Sequence, residues 1–340
     1  MGTLVSLRHT LKMALKRGAL VAAANWPVAL IQAAADALFK VLVAAPLVGG
    51  IILTTLVIGA DIDERAPDWR ILLTQVVSSL LQHRFMLIAF VLAVSLVVIG
   101  GSLFVFLVKS GTMGVLVRGE SQAPAIEDDP LQVKSLALAS SFSIELFVDS
   151  ARTLFRRYAH LGIALMAVYL ISAMAFIGIL LWESPVGDSF GYTTLVTVVF
   201  VLWITLVNLV YVLIQIVIAA DDCGVASAAR RVAVFVRQEK QVLAGIFVVI
   251  LTMIALATAA SVIAFTGLGL ILLLPFVWLA AIPLQLAAFL LRALVFQYID
   301  MTSIAAYLKL YRTHSNRLAP DGLSGAPVSA WPPPADLPNS

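Results

Sequence analysis

Six continuous apolar runs decide what this chain folds into. They lie at about 41–59, 85–108, 161–182, 192–219, 242–265 and 270–291. A bilayer span needs roughly 20 mostly apolar residues, and each run is near or above that length. A membrane β-barrel would instead show short segments of alternating polarity. With 61% hydrophobic and 12% charged residues, the chain is too apolar for a soluble domain, which has about 25% charged residues. The expected fold is therefore all-α: a polytopic membrane protein with six transmembrane helices.

Between the runs lie amphipathic segments. In Leu4–Arg17, the leucines Leu4, Leu7, Leu11 and Leu15 make one stripe, and Arg8, Lys12, Lys16 and Arg17 lie off it. Such a helix lies in the interface with its cations towards anionic headgroups. A basic start before an apolar run also describes a signal peptide, but Asn25-Trp26-Pro27 interrupts the run and apolar character resumes to Ala60. In Phe142–Tyr158, Ile144, Phe147, Val148, Ala151, Phe155 and Tyr158 face one way. Glu145, Asp149, Arg152, Arg156 and Arg157 face the other, with Asp149 and Arg152 spaced for an ion pair. After Asp221-Asp222, Val225, Val232, Phe235 and Val236 oppose Arg230 and Arg237, and an Asp at this start is placed to cap the helix. Asp61–Arg84 reads as a loop and an outer amphipathic segment. Lys109–Ser141, with its glycines and prolines, reads as a loop, and Thr266-Gly267-Leu268-Gly269 as a tight turn.

Three cytoplasmic amphipathic helices, each feeding a two-span hairpin, suggest a threefold helix-hairpin repeat. The membrane domain covers 1–312. The segment 313–340 is Pro-rich and is expected to be a disordered cytoplasmic tail. Of the 22 Lys and Arg, seventeen fall on one set of ends and Arg65, Arg70 and Arg84 on the other; Lys40 and Arg292 lie at span edges. That asymmetry puts both termini in the cytoplasm. Prolines 46, 275 and 283 are expected kinks. Asp36 and Lys40 are one helical turn apart, as an interfacial ion pair or as charges at a cavity mouth.

No chemistry stands out. Cys223 is the only cysteine, so an intramolecular disulfide and a four-cysteine zinc site are both excluded. The four histidines have no ligand spacing, so no metal and no cofactor are expected. No pair of catalytic residues sits at suitable depth, which argues against an enzyme. Cations spread along membrane-facing helices argue against nucleic acid as a partner.

Two sets of residues are candidates for function. Thr205, Asn208, Tyr211 and Gln215 share one side of the fourth span, and Gln285 and Arg292 lie on the sixth. Polar groups in hydrocarbon bond between helices or line a site. Arg152, Arg156, Arg157, Arg230, Arg231 and Arg237 form a basic collar, either an interfacial anchor or a docking surface for anionic lipids or a protein partner.

Several residues carry a resemblance. Ser110-Gly111-Thr112-Met113-Gly114 after the second span, the helix Ser143–Arg157, Asp221-Asp222 before an Ala/Arg helix, and the ending Phe296-Gln297-Tyr298-Ile299-Asp300 resemble a six-span membrane-domain superfamily. It includes the membrane domain attached to some bacterial glycerophosphodiester phosphodiesterases, and related families of unknown function. Met301-Thr302 stands where that superfamily commonly has Arg. The resemblance implies a bacterial inner-membrane location. It lends no phosphodiesterase chemistry, because no segment here forms that barrel. The expected function is non-enzymatic, organising or regulatory through lipid and protein contacts at the cytoplasmic face. The alternative is a carrier or permease component that binds a small molecule or lipid between spans four and six.

Overall fold

The structure, a computed structural model, describes residues 2–58, 81, 83–127, 133–182, 189–271 and 278–318. Among them 94% are helical, with no strand. The helices are α1 Gly2–Ala24, α2 Trp26–Ile58, α3 Arg84–Gln122, α4 Val133–Ala139 and α5 Ile144–Trp182. They continue with α6 Ser189–Asp221, α7 Val225–Gln238, α8 Lys240–Ile271 and α9 Trp278–Leu318. Six of them (α2, α3, α5, α6, α8 and α9) are long and apolar enough to cross a membrane.

Their lengths explain where the core sits. At 1.5 Å per residue, the 39 residues of α5 run to about 58 Å, against a hydrocarbon core of about 30 Å. The surplus turns are where the side chains pack. The chain divides into two units, Met1–Leu30 with Ser110–Ser340, and Ile31–Lys109. In the first, the buried residues gather at one end: Val21 and Ala22 of α1, Val115 and Leu116 of α3, and Leu154 and Tyr158 of α5. Leu213 to Ile218 of α6, Val232 and Phe235 of α7, Leu243 and Ile246 of α8, and Met301 to Leu308 of α9 complete it. The more apolar stretches are exposed, for example Leu170, Ile171 and Met174 on α5 and Leu195, Leu202 and Leu206 on α6. Water does not tolerate an apolar surface of that extent, and lipid does.

Small residues let the helices of this end approach closely. A Cβ on Gly18 of α1 would lie 2.6 Å from the Thr302 carbonyl oxygen of α9, and one on Gly114 of α3 would lie 2.1 Å from Ser150 Oγ of α5. Tyr298 also donates to the Ala19 carbonyl at 3.0 Å, so the first and last helices are clasped. In the second unit, Gly50 and Gly101 do the same work, against Phe90 and Phe39.

Several expectations are corrected. Lys109–Ser141 is not a loop throughout: α3 runs on to Gln122 and α4 covers Val133–Ala139, and of the described residues in this stretch only 123–127 and 140–141 are non-helical. Gly111 and Gly114 are helix-crossing positions there, and their missing side chains admit Phe147 and Ser150. Thr266–Gly269 is not a turn, since α8 continues to Ile271. Residues 313–318 belong to α9 rather than to a disordered tail. Pro46 and Pro283 lie inside α2 and α9. Pro275, Asp61–Leu80 and the rest of the tail lie outside the described residues. The Asp36–Lys40 pair is formed at 2.6 Å, whereas Asp149 and Arg152 make no ion pair among the described residues.

Candidate functional site

The packed end of the first unit holds three polar clusters. The first centres on Arg17, which the leucine stripe of α1 assigns to the headgroups. It is instead only 5% exposed. The buried face of α1 runs through Ala14, Gly18, Val21 and Ala22, because close packing on α9 selects small residues over leucines. Arg17 Nε donates to Glu120 Oε2 at 2.6 Å, and Nη1 donates to Glu127 Oε2 at 2.6 Å and to the Pro124 carbonyl at 2.8 Å. Nη2 donates to the carbonyls of Ala123 and Glu120 at 2.9 and 3.2 Å. A guanidinium has five N–H donors, and all five are used. Three of them serve carbonyls at the C-terminal end of α3, where unpaired acceptors and a negative dipole favour a cation.

The electrostatics agree with the geometry. Burial opposes the charge on Arg17, but hydrogen bonds to Glu120 and Glu127 and their charges outweigh it and hold its pKa above the ordinary arginine value. Burial likewise pushes the Glu127 carboxyl up, yet the Arg17 hydrogen bond and the charges of Arg17 and Lys309 hold it below the usual carboxylate range. Lys309 Nζ lies 3.6 Å from Glu127 Oε1. Beside this cluster, the fully buried Asn25 between α1 and α2 donates to the carbonyls of Val21 and Ala139, both at 3.0 Å. It also accepts from the Ser141 amide at 3.0 Å.

The second cluster surrounds Asp221-Asp222. These acids do not cap α7. Its N-cap is Gly224, with no side-chain cap bond. Asp222 has φ 46°, a left-handed conformation that Asp tolerates better than most residues. Asp222 accepts from Arg157, and Asp221 accepts from Arg231 of α7 and Tyr311 of α9. The hydrogen bond and charge of Asp221 raise the Arg231 pKa above its ordinary value.

The third cluster joins α7 to the end of α9. Glu239 Oε1 lies 3.0 Å from Arg317 Nη1 and 3.7 Å from His314 Nδ1. The Phe235 ring of α7 packs edge-on against Tyr311 at 5.4 Å and tilted against His314 at 5.2 Å. Above this contact opens a cleft of about 360 Å³, lined by Arg230, Arg231, Val234, Tyr311, His314 and Ser315.

The remaining sequence candidates divide. Asn208 accepts from Tyr169 of α5, and nearby Trp203 Nε1 donates to Ser172 Oγ at 3.0 Å and Phe200 stacks on Phe176 at 4.4 Å. Asn208 thus ties α6 to α5. Thr205 donates back to the Val201 carbonyl at 2.7 Å. Tyr211 is buried, and Gln215 is 1% exposed with its Nε2 unpartnered. Its backbone carbonyl accepts from Tyr158 at 2.8 Å. Gln285 is half-buried. Arg292 is exposed, with its guanidinium 5.9 and 5.5 Å from the ring centroids of Phe265 and Phe296. Among the described residues no hydrogen bond joins Gln285 or Arg292 to the α6 set.

In the basic collar, Arg157 and Arg231 are paired with acids. Arg152, Arg156, Arg230 and Arg237 are exposed and make no ion pair among the described residues. No group of three or more His, Cys, Asp or Glu residues is placed to hold a metal among the described residues. Glu120, Glu127, His314 and Tyr311 were missed by sequence reasoning. Glu120 and Glu127 lie in or just after a segment whose helical periodicity glycines obscured, and Tyr311 and His314 lie in a half-polar helix whose partner the sequence does not name. Comparison with known proteins finds no matching family model, curated protein or solved structure.

Proposed function

We propose that this is a non-enzymatic, multi-pass protein of the bacterial inner membrane, with both termini and the packed end in the cytoplasm. It organises or regulates through lipid or protein contacts at that face. One observation carries the reading. The interior charges Arg17, Glu120, Glu127 and Lys309 are matched with one another, while Arg152, Arg156, Arg230 and Arg237 are exposed without ion pairs among the described residues. Cations left unneutralised beside membrane-spanning helices attract an anionic leaflet, at about 1 kcal/mol each near the surface.

The seventeen-to-three division of Lys and Arg favours this orientation. In the same reading α7 and the start of α5 are interfacial helices leading into hairpins, and a threefold repeat and kinship with the six-span membrane-domain superfamily are proposed with it. Ala228, Val232 and Phe235 seat α7 on the packed end, and Arg230 and Arg237 are left on its exposed side for the contacts proposed.

Native mass spectrometry of the protein extracted with its surrounding lipid tests the proposal. Wild type should retain anionic lipid in excess of its share of the membrane, and an Arg152→Gln, Arg156→Gln, Arg237→Gln variant should lose that excess. Equal retention by both overturns it. A defined small molecule held by wild type and lost in an Asn208→Leu, Gln285→Leu variant would establish the carrier alternative instead.

A further inference from the structure

We propose that the cleft between α7 and the end of α9 is a binding site for a single phosphate group. Its chemistry is one-sided. The lining holds two guanidiniums (Arg230 and Arg231), an imidazole (His314) and two hydroxyls (Tyr311 and Ser315), with one apolar residue, Val234. Arg230, Arg231 and Ser315 have hydrogens to donate into it, Tyr311 gives its one hydroxyl hydrogen to Asp221, and no carboxylate lines the cleft.

Acids stand behind the lining and fix it. Asp221 accepts from both Arg231 and Tyr311, and Glu239 lies against His314 and Arg317. Two guanidiniums, Arg230 and Arg231, line the cleft against the one acid bonded to its lining arginine, Asp221, and Glu239 is paired with Arg317, so the cleft is cationic. The Phe235 contacts with Tyr311 and His314 brace its floor. Arg230 is exposed and has no ion pair among the described residues, which leaves its fork for an incoming anion.

Phosphate fits these donors better than carboxylate does. It offers three or four acceptor oxygens on one centre, and two arginines with the Ser315 hydroxyl match that geometry. About 360 Å³ lies in the range of small-molecule sites and accommodates a phosphate with the part of the molecule that bears it. A phospholipid headgroup and a soluble phosphate ester supply the same group. The inference rests on the basic face being a contact surface, and it narrows that face to one site.

The test uses the full chain in nanodiscs. In one arm the discs are phosphatidylcholine, and inorganic phosphate is titrated against chloride at matched ionic strength while thermal stability is read. In the other, phosphatidic acid replaces about a tenth of the lipid, and retained phosphatidic acid is counted by native mass spectrometry. Wild type should saturate in at least one arm: phosphate alone points to a soluble ester, phosphatidic acid alone to a headgroup. Arg230→Gln should weaken that binding at least tenfold, as should Ser315→Ala from the opposite helix. Lys40→Gln, which removes a cation outside both the cleft and the basic collar that pairs with Asp36, should change it less than twofold. No saturation in either arm overturns the site, as does equal weakening by cleft and outside variants. If acidic lipid is still enriched without saturation, the contact surface survives and the cleft does not. If there is no enrichment, both fail.

Discussion

Arg17 Nε and Glu120 Oε2 meet at 2.6 Å across 103 residues of sequence. Neither residue is more than marginally exposed, so their contact joins α1 to the end of α3 inside the packed end. Removing one partner of a buried pair leaves the other charge stranded, at about 3–5 kcal/mol. Arg17→Met should therefore lower thermal stability severely in nanodiscs. Adding Glu120→Gln and Glu127→Gln should recover part of that loss. A full-strength Tm in the single variant would refute the assignment.

Glu127 makes the same cluster pH-dependent. Its carboxyl is held below the ordinary range in the folded state, so its contribution to stability is complete above the unfolded value, about 4.3. That contribution is lost as pH falls through the lower folded value. Stability measured from pH 6 down to pH 3 should fall, and the fall should be shallower in Glu127→Gln. Parallel curves for the two proteins would contradict this.

The crossing of α3 and α5 predicts a compensating pair. Gly114→Ala places a methyl 2.1 Å from Ser150 Oγ and 2.2 Å from its Cβ, and overpacking of this kind costs about 1–3 kcal/mol. Ser150→Gly removes both of those atoms, so the double variant should be more stable than Gly114→Ala alone. Gly49→Ala, where a Cβ meets nothing within 4 Å, is the matched control and should be neutral or slightly stabilising. Differential scanning fluorimetry of the four variants gives the comparison.

Gln215 separates packing from ligand binding. Its Nε2 is buried without a partner, and an unmet buried donor costs about 1–3 kcal/mol. Gln215→Met, similar in shape, should leave Tm unchanged or raise it. A clear drop in Tm would show that Nε2 has a partner in the membrane-embedded protein and would favour the carrier alternative.

What the sequence revealed and concealed follows from physics. Hydrocarbon imposes length and polarity on a span, so the apolar runs were visible from composition alone, as was the alternation that puts Val232 and Phe235 on the buried side of α7. The same logic misread Arg17. A cation in an amphipathic stretch looks interfacial unless its partners are known, and Glu120 lies in a segment whose glycines imitate a loop. Gly111 and Gly114 carry opposite meanings in a turn and at a helix crossing, and only the neighbouring Phe147 and Ser150 decide between them. The pairing of Asn208 with Tyr169 was hidden because spacing along one helix does not say which neighbour a side chain will meet.

The clasp between the first and last helices sets a timetable for assembly. Gly18 and Ala19 of α1 take their places against Thr302, Ala306 and Tyr298 of α9, and the hydrogen bond between Tyr298 and Ala19 spans 279 residues. At about 5–20 residues per second, a ribosome needs roughly a quarter of a minute to a minute to deliver the second partner after the first. For that interval α1 is made but has no seat on α9, and its small-residue face must be sheltered by lipid, by the insertion machinery or by a chaperone. A chain stopped before α9 would leave its first helix unhoused, and it is at this last step that quality control has most to act on.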